Sequence, residues 1–439
     1  MKRNAVYFLS FFFIFAVIFS SCKQKNNIII NNADVLHQNQ DELTQVIIYD
    51  VFTPPVASRI YAYTSLASYE AVRFLIPGNA SLSEKMKGFG KMPVPDTTKK
   101  YDYTLAATQA FFTVAHKVTF SVDSLKKYEA TVFDQYRQML DDSVYNRSVA
   151  FGDTIGKAIL ARAVKDNYLQ TRGKQKFLGS QEPGKWRPTP PDYLDGVEWC
   201  WNTMMPFVID SASQFPAAAP PTFSTDTASE FFGMVKDVYM VNKDLSPEQR
   251  TIAKFWDDNP FVIEHSGHLM FGNKKITPGG HWMGIAAIAS KQSHADEVKI
   301  AKAYALTAIA LFDAFISCWD EKYEWNYIRP VTVINERIDS AWSPLLQTPP
   351  FPEYTSGHST ITGCAATVLT NLFGDHFAFT DTSDLRYIGM QRNFTSFLQA
   401  ADECSLSRLY GGIHYRLTVE QSGALGRKIG EFIIRKLKL

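Results

Sequence analysis

Apolar residues recur every three to four positions along most of the chain, the spacing that places them on one face of an α-helix. One-by-one alternation of apolar and polar residues, the pattern of a half-buried strand, is scarce. The helical pattern predicts α-helices at Asp41–Phe74, Tyr103–Phe120, Val122–Asp141, Val144–Tyr168, Thr227–Val241, Pro247–Phe255, Thr277–Lys291, Glu297–Asp320, His358–Phe373, Asp384–Ser405 and Thr418–Lys436. We therefore expect an all-α protein, built as two packed helix bundles.

A stretch rich in proline and glycine, Gly173–Ser224, interrupts the helical pattern near the middle of the chain. Proline is rare inside helices because it lacks the backbone N–H and clashes with the preceding turn. We expect an ordered, non-helical excursion between two helical halves. The predicted halves are residues 41–225 and residues 226–439.

The N-terminus has the layout of an export signal. Two basic residues precede an apolar stretch, Val6–Phe19, and two serines then lead to Cys22. This order is typical of a secretory signal peptide, and the cysteine resembles the lipid-attachment residue of bacterial lipoproteins. We predict a signal peptide at residues 1–21 and a tether at residues 22–40. The protein would then be exported to the periplasm, outer membrane or cell surface and contact the membrane only through its lipid; an uncleaved N-terminal anchor is the alternative.

Composition and charge narrow the functions that the chain can have. Hydrophobic residues make up 46% of it, and 45 basic against 44 acidic residues leave a net charge of +1. The chain therefore has no bulk basicity for a nucleic-acid partner. The apolar stretch Ala301–Cys318 contains Lys302 and Asp313, which favours a buried helix over a membrane span. The four cysteines after Cys22 include no CxxC pair, which argues against zinc and leaves disulfide pairing open.

Three segments toward the C-terminus carry candidate chemistry, and the first runs from Trp319 to Pro330. It contains Lys322 and Arg329, seven residues apart. On a continuous helix this spacing places both cations on one face, about 10 Å apart along the axis, and Pro330 favours a helix end just before it. Two cations at a helix end could clamp an oxyanion. A solvated basic face is the alternative.

The second segment is Thr355-Ser356-Gly357-His358, which follows a proline-rich approach. Thr355 or Ser356 can cap the helix that follows, and the free N–H groups of a helix start suit an anion. Gly357 lets a ligand approach the backbone closely. His358, in the first turn, is placed to exchange a proton with that ligand. An ordinary helix start that contains a histidine is the alternative.

The third segment contains Arg408, the pair Gly411-Gly412 and His414. The glycines predict a turn that brings His414 back toward Arg408. By itself this segment carries little information. Together, the three segments supply three cations, helix N–H groups and two imidazoles, which could surround one tetrahedral oxyanion such as phosphate or vanadate.

The combined order, Lys-x6-Arg-Pro, Ser-Gly-His and Ser-Arg-x5-His, resembles that of a known superfamily. This superfamily joins vanadium-dependent haloperoxidases to type 2 phosphatidic acid phosphatases and bacterial acid phosphatases. The matching motifs span Trp319 to His414, and Thr355 stands where the family usually has proline. The resemblance implies the helical-bundle fold of these enzymes and a site for vanadate or phosphate.

The resemblance also implies which residues hold the oxyanion. Lys322, Arg329 and Arg408 would neutralise its charge. Ser356 and the backbone N–H of Gly357 would hydrogen-bond to it.

Two histidines would carry the chemistry. The resemblance implies that His414 is the ligand of vanadium in a peroxidase, or the nucleophile on phosphorus in a phosphatase. His358 would be the acid and base, and Lys322 would further polarise the bound peroxide. Asp258 is a candidate for the carboxylate that orients His358.

Three features favour a haloperoxidase. The chain is longer than the small acid phosphatases, it lacks the membrane spans of an integral lipid phosphatase, and Trp319 and Phe351 resemble the aromatic residues of halide pockets. This pattern is similar to fungal chloroperoxidases and to exported bacterial haloperoxidases, including iodide-specific ones. We expect a vanadate-dependent enzyme that oxidises halide, iodide or bromide rather than chloride, with hydrogen peroxide to hypohalous acid.

Other functions stay open from the sequence. The same residues could hydrolyse phosphomonoesters through a phosphohistidine on His414, as in an acid phosphatase. Trp319 and Phe351 could serve core packing alone. A surface lipoprotein that only binds an anion is a third reading, which replacement of His358 by alanine would separate from catalysis.

Overall fold

The computed structural model describes residues 30–260, 263–266, 269–272 and 275–439. The predicted signal peptide at residues 1–21 and the predicted lipid-attachment residue Cys22 lie outside the described residues.

The described chain is a helical bundle. Its α-helices are α1 Asn32–Tyr49, α2 Pro54–Val72, α3 Tyr103–Val118, α4 Val122–Met139, α5 Asp142–Ala163, α6 Tyr168–Arg172, α7 Glu230–Lys243, α8 Pro247–Phe255, α9 Pro278–Gln292, α10 Glu297–Trp325, α11 Pro330–Arg337, α12 Gly357–Phe373, α13 Leu385–Ile388, α14 Phe397–Tyr410 and α15 Arg416–Leu437. Two small antiparallel sheets pair β1 Ile263–Ser266 with β2 Leu269–Gly272 and β3 Phe379–Asp381 with β4 Arg392–Phe394. The prediction of an all-α fold is confirmed.

The first helix begins earlier than the sequence predicts. Helix α1 starts at Asn32, and the Asn31 side chain caps it by accepting the backbone N–H groups of the next turn. Val35 and Leu36 of this helix are buried. The prediction of a tether as far as residue 40 is therefore wrong for residues 32–40, which pack as part of the bundle.

Two predicted helices are interrupted. The predicted helix Asp41–Phe74 is two helices, because α1 ends at Tyr49 and α2 begins at Pro54. Asp384–Ser405 is predicted as continuous, yet α13 ends after four residues at Gly389, whose φ of 70° breaks the helix. Strand β4 follows, and Ser396 then caps α14 by accepting the N–H of Gln399. A helical apolar spacing cannot reveal these local breaks, because strand pairing with β3 is a tertiary contact.

The proline- and glycine-rich stretch forms the expected excursion. Between residues 173 and 224 the described backbone has only two short 3₁₀ turns and isolated bridges. The carbonyl of Val197 accepts hydrogen bonds from Trp319 Nε1 at 3.1 Å and from Tyr323 Oη at 2.7 Å. The excursion thus lies against the C-terminal part of α10.

Helix α10 forms the centre of the molecule. It packs along α2, α9 and α12, and α12 in turn packs along α14 and α15. By length and composition α10 is the one helix in the described residues that could cross a membrane, but 94% of its apolar window is buried inside the protein. One apolar core contains side chains of α1, α2, α10, α12 and α15, among others, so both halves of the chain share it. The division at residue 225 stays a prediction.

The cysteines after Cys22 are all buried and free. A disulfide, which the sequence leaves open, is therefore not formed between them.

Candidate active site

The C-terminal end of α10 and the start of α11 place the first two cations. Helix α10 ends at Trp325, where Asn326 adopts a left-handed conformation with φ of 48°. Arg329 lies beyond this break, in extended backbone that precedes Pro330 of α11. The expectation that Lys322 and Arg329 share one helix face is therefore wrong. They meet because both side chains donate to backbone carbonyls of the segment 351–353.

Lys322 is completely buried and points at backbone carbonyls rather than at a carboxylate. Its Nζ donates to the carbonyl oxygens of Pro352 at 2.8 Å and of Glu353 at 3.2 Å. Burial, with a smaller contribution from the Arg329 charge, lowers its pKa to about 7. An anion beside this group would favour its charged form.

Arg329 is also completely buried. Its Nε donates to the carbonyl of Phe351 at 3.0 Å, and its Nη1 donates to the carbonyl of Ile413 at 2.7 Å. Nη1 also lies 3.2 Å from His414 Nε2. The Nη2 atom is buried and has no hydrogen-bond partner among the described residues. Burial lowers the pKa of this guanidinium to about 10.

Helix α12 begins as the sequence predicts. Ser356 is its N-cap, and the Ser356 hydroxyl accepts the N–H and the hydroxyl of Ser359 at 3.4 and 3.0 Å. The helix start lies against the Trp319 ring, which a Cβ added at Gly357 would meet at 3.4 Å, an ordinary contact distance. Thr355, which stands in place of the usual proline, is buried and donates its hydroxyl to Cys318 Sγ at 3.3 Å.

His358 follows in the first turn of α12. Its Nε2 is buried and has no hydrogen-bond partner among the described residues. The imidazole is hydrogen-bonded to the backbone of Asp257. Burial, followed by the charges of Arg408 and His281, lowers its pKa well below the usual value. A neutral imidazole with one free ring nitrogen is able to accept or pass on a proton.

The predicted turn after α14 is present. Gly411 and Gly412 end the helix, with φ of 76° at Gly412, and the N–H of Ile413 donates to the carbonyl of Arg408 at 3.2 Å. His414 then lies on the same cavity as Arg408. Burial lowers the pKa of the Arg408 guanidinium, which donates to the carbonyls of Trp256 and Asp257.

Glu353 is a residue of the site that the sequence analysis missed. Its Oε1 accepts from His414 Nδ1 at 2.8 Å and from the N–H of Tyr415 at 3.0 Å, and its Oε2 accepts from the Thr418 hydroxyl at 3.0 Å. Burial raises its pKa to about 7. A carboxyl group two positions after Phe351, in an otherwise apolar and proline-rich run, was the available signal.

This contact defines the state of His414. Burial and the charges of Arg329 and Lys322 lower the pKa of its imidazole well below the usual value. A neutral imidazole that donates Nδ1–H to Glu353 carries its lone pair on Nε2, which accepts a hydrogen bond from Arg329 Nη1. Nε2 is therefore the ring nitrogen that could bind a metal or a phosphorus atom in place of this contact.

An aromatic wall closes one side of the site. Trp319 and Phe351 are buried, with ring centroids 5.1 Å apart. The Lys322 ammonium lies 4.8 Å from the Phe351 centroid and 5.7 Å from the Trp319 ring. Both rings line a cavity together with His358, Arg408 and His414.

Asp258 does not orient His358 as the sequence analysis expects. Its carboxylate lies 3.0 and 3.1 Å from Nδ1 of His281, a different histidine on α9. The backbone of the preceding residue, Asp257, holds His358 instead. Sequence reasoning could not distinguish the two, because a backbone acceptor has no residue-type signal.

The residues present fit an oxyanion cofactor. The three cations are buried, and in the described part of the chain they are held by carbonyls and hydroxyls rather than by ion pairs. Buried positive charge that no carboxylate pairs with directly is costly, so an anion in the cavity would offset part of that cost. The free Arg329 Nη2 and His358 Nε2 are donor and acceptor groups of the kind such an anion needs.

Comparison with known proteins agrees with this chemistry. The fold matches that of the first bacterial vanadium-dependent iodoperoxidase, with 44% sequence identity, a TM-score of 0.88 and coverage of 94% of this chain and 98% of that chain. The chain belongs to the vanadium-dependent haloperoxidase family. Residues 302–439 also match the family model of the second helical-bundle domain of vanadium chloroperoxidase.

More distant haloperoxidases share the fold. A bacterial vanadium-dependent chloroperoxidase in its holo form has 18% identity and a TM-score of 0.68, over 91% of this chain and 96% of that chain. Its apo form has 15% identity and the same TM-score, over 88% and 93%. No curated protein sequence matches the chain. As a vanadium haloperoxidase, the protein uses a vanadate cofactor and acts on hydrogen peroxide and halide.

Proposed function

We propose that the cavity between α10, α12 and α14 is the vanadate site, with Lys322, Arg329 and Arg408 as its charge-neutralising groups. The convergence of these three buried cations on two neutral imidazoles carries the proposal. Ser356 and the N–H of Gly357 supply donors at the start of α12.

Each histidine has a separate role. His414 Nε2 is the ligand of vanadium, and Glu353 fixes its tautomer through Nδ1. His358 Nε2 moves protons at the bound oxygens. Bound vanadate supplies a Lewis-acidic centre that activates peroxide toward halide. The residues of the protein hold the vanadate, orient it and transfer protons to its oxygens. The aromatic wall limits the access of water to that side of the site.

We further propose that the halide is iodide, with bromide second and chloride least favoured. Trp319 and Phe351 present an apolar, polarisable surface beside Lys322, which suits a large and weakly hydrated anion. The similar bacterial enzyme with 44% identity is described as an iodoperoxidase, which supports the same choice.

The experiment uses protein that begins at Lys23, with and without orthovanadate. Iodide, bromide and chloride oxidation by hydrogen peroxide is followed beside phosphate release from a chromogenic monoester. We expect vanadate-dependent iodide oxidation that is lost in His414→Ala and His358→Ala. Monoester turnover that vanadate inhibits, with no halide oxidation, would contradict the proposed peroxidase chemistry of this site.

We also propose that the protein is exported and held at a membrane by a lipid on Cys22. The support is the order of basic residues, apolar stretch and small residues before Cys22. In a bacterial host the wild-type chain should incorporate an alkyne-labelled fatty acid and partition into detergent. Cys22→Ser should lose the label; retention of the label in this variant would rule out Cys22 as its site.

A further inference from the structure

A second cluster of ionisable groups lies behind the site and is not used by the mechanism above. At its centre is His281 of α9, which is completely buried. Its Nε2 lies 2.9 Å from Asp381 Oδ2, and its Nδ1 lies 3.0 Å from Asp258 Oδ2. The carboxylate of Asp384 is 3.7 Å from Nδ1. Three acidic side chains from two distant parts of the chain therefore enclose one imidazole.

The arrangement is that of a protonated imidazole rather than a metal ligand. Both ring nitrogens are at hydrogen-bond distance from carboxylate oxygens, so both donate a proton and neither keeps a lone pair for a cation. Burial opposes the charge on His281, but the carboxylates of Asp258, Asp381 and Asp384 outweigh it and raise its pKa well above the usual value. The cluster is thus a buried ion network.

The cluster continues directly into the segment that holds two site residues. The His281 ring stacks on the Trp256 ring, with centroids 4.5 Å apart and an interplanar angle of 19°. The carbonyls of Trp256 and Asp257 accept hydrogen bonds from the Arg408 guanidinium. The backbone of Asp257 also binds the His358 imidazole.

The backbone of this segment needs such a restraint. Asp258 has a φ of 43°, a left-handed conformation that non-glycine residues rarely adopt. Its carboxylate is tied to His281, and the neighbouring Asp257 is tied to Lys275. These ties restrain the segment whose carbonyls accept hydrogen bonds from Arg408.

We propose that His281 is a positioning residue of the haloperoxidase site, which clamps the Trp256–Asp258 segment so that its carbonyls aim Arg408 and its backbone holds His358. This inference rests on the roles proposed above for Arg408 and His358. The clamp acts through direct contacts: from the carboxylates to His281, from His281 to Trp256 and Asp258, and from their backbone to the site.

The test compares His281→Phe with His37→Phe, a matched control. Phenylalanine can still stack on Trp256 but cannot donate to the carboxylates. His37 is also buried and hydrogen-bonded, to the Tyr304 hydroxyl at 2.6 Å, but belongs to α1. Affinity of the vanadate-free protein for inorganic phosphate and for vanadate is measured by calorimetry, with thermal unfolding and the kcat and KM for iodide alongside.

We expect His281→Phe to lose on the order of 10- to 100-fold in anion affinity, the usual effect of removing a group that orients a ligand. After loading at saturating vanadate, kcat should fall while KM for iodide stays near wild type, because the aromatic wall is untouched. His37→Phe should lower the unfolding temperature without changing either affinity. If His281→Phe does not fold, Asp258→Asn replaces it and should lose affinity in the same direction.

Three results would overturn the inference. They are wild-type anion affinity in His281→Phe or in the folded Asp258→Asn, an equal loss of affinity in His37→Phe, and a stoichiometric metal ion in the wild-type protein that is absent from His281→Phe. Arg408→Ala serves to separate the two proposals. If Arg408→Ala binds phosphate and vanadate like the wild type, the proposed site itself is wrong. If Arg408→Ala loses anion affinity but His281→Phe does not, the site is supported and the positioning role of His281 is wrong.

Discussion

At the scale of single residues, charge in the site is controlled by burial. The low dielectric of the interior lowers the pKa of Lys322 and of both cavity histidines, and raises that of Glu353. The histidines are therefore neutral and able to offer a lone pair. The lysine is poised to gain its charge only when an anion arrives.

This poise of Lys322 predicts a pH dependence of anion binding. Above pH 7 the lysine of the free site is mostly neutral, and a bound anion raises its pKa, so binding takes up one proton. The phosphate affinity of the wild type should therefore fall more steeply with rising pH than that of Lys322→Met, which takes up no such proton. The difference between the two slopes should reach up to about tenfold in affinity per pH unit. Calorimetry between pH 6 and about 9 compares the two; parallel curves would contradict the pKa argument.

Glu353 should control the vanadium ligand. Glu353→Ala removes the acceptor of His414 Nδ1–H, so the ring can rotate or change tautomer, and vanadate affinity should fall on the order of 10- to 100-fold. Glu353→Gln retains an acceptor and should lose less. The control is Thr418→Val, which removes only the hydroxyl that donates to Oε2. Equal affinity of Glu353→Ala and wild type in equilibrium dialysis would exclude this role.

At the scale of elements, the close approach of α12 and α15 determines the relative positions of the two histidines of the site. Helix α12 begins at Gly357 and carries His358, while α15 begins two residues after His414. A Cβ added at Gly426 of α15 would come within 2.0 Å of the carbonyl oxygen of Thr360 on α12. The two helices thus touch through backbone, which fixes the two histidine-bearing ends against each other.

Gly426→Ala should therefore push these helices apart and destabilise the protein by about 1–3 kcal/mol. Gly423→Ala on the same helix is a matched control, because its added Cβ would lie 3.6 Å from Ser405 Oγ, an ordinary contact. That change should be neutral or stabilising by about 0.5–1 kcal/mol, since alanine favours the helix. Denaturant unfolding measures both, and equal stability of the two variants would contradict the packing argument.

At the scale of the whole molecule, the site joins distant parts of the bundle. Lys322 comes from α10, His358 from α12, Arg408 from α14, and His414 from the turn that precedes α15. An anion bound to all of them links elements that a denatured chain separates. The native state then binds it and the unfolded state does not.

Loading with vanadate should consequently stabilise the entire fold. At a ligand concentration of 100 times Kd the expected gain is about 2.7 kcal/mol, and the unfolding temperature should rise with vanadate concentration. Calorimetric scans of the vanadate-free and loaded protein measure this change. The variant His414→Ala, which lacks the proposed ligand, should show a smaller rise; an identical rise would place the binding elsewhere.

The sequence alone determined the helical class, a helix start for α12 capped by Thr355 or Ser356, and the turn at Gly411-Gly412. These features depend on local apolar spacing, capping and glycine conformation, which act between near neighbours in the chain. The motif order also led to the haloperoxidase family. The order and spacing of these residues were enough to indicate the family, because binding an oxyanion requires particular residue types.

Only the tertiary structure decided which groups meet. Lys322 and Arg329 both bind carbonyls of the segment 351–353, Asp258 faces His281 instead of His358, and Glu353 lies behind His414. Each contact joins groups that are distant along the chain or involves a backbone carbonyl, which every residue type has and which the sequence therefore cannot single out. Burial, which sets their protonation, is likewise a property of the packed molecule and not of any segment.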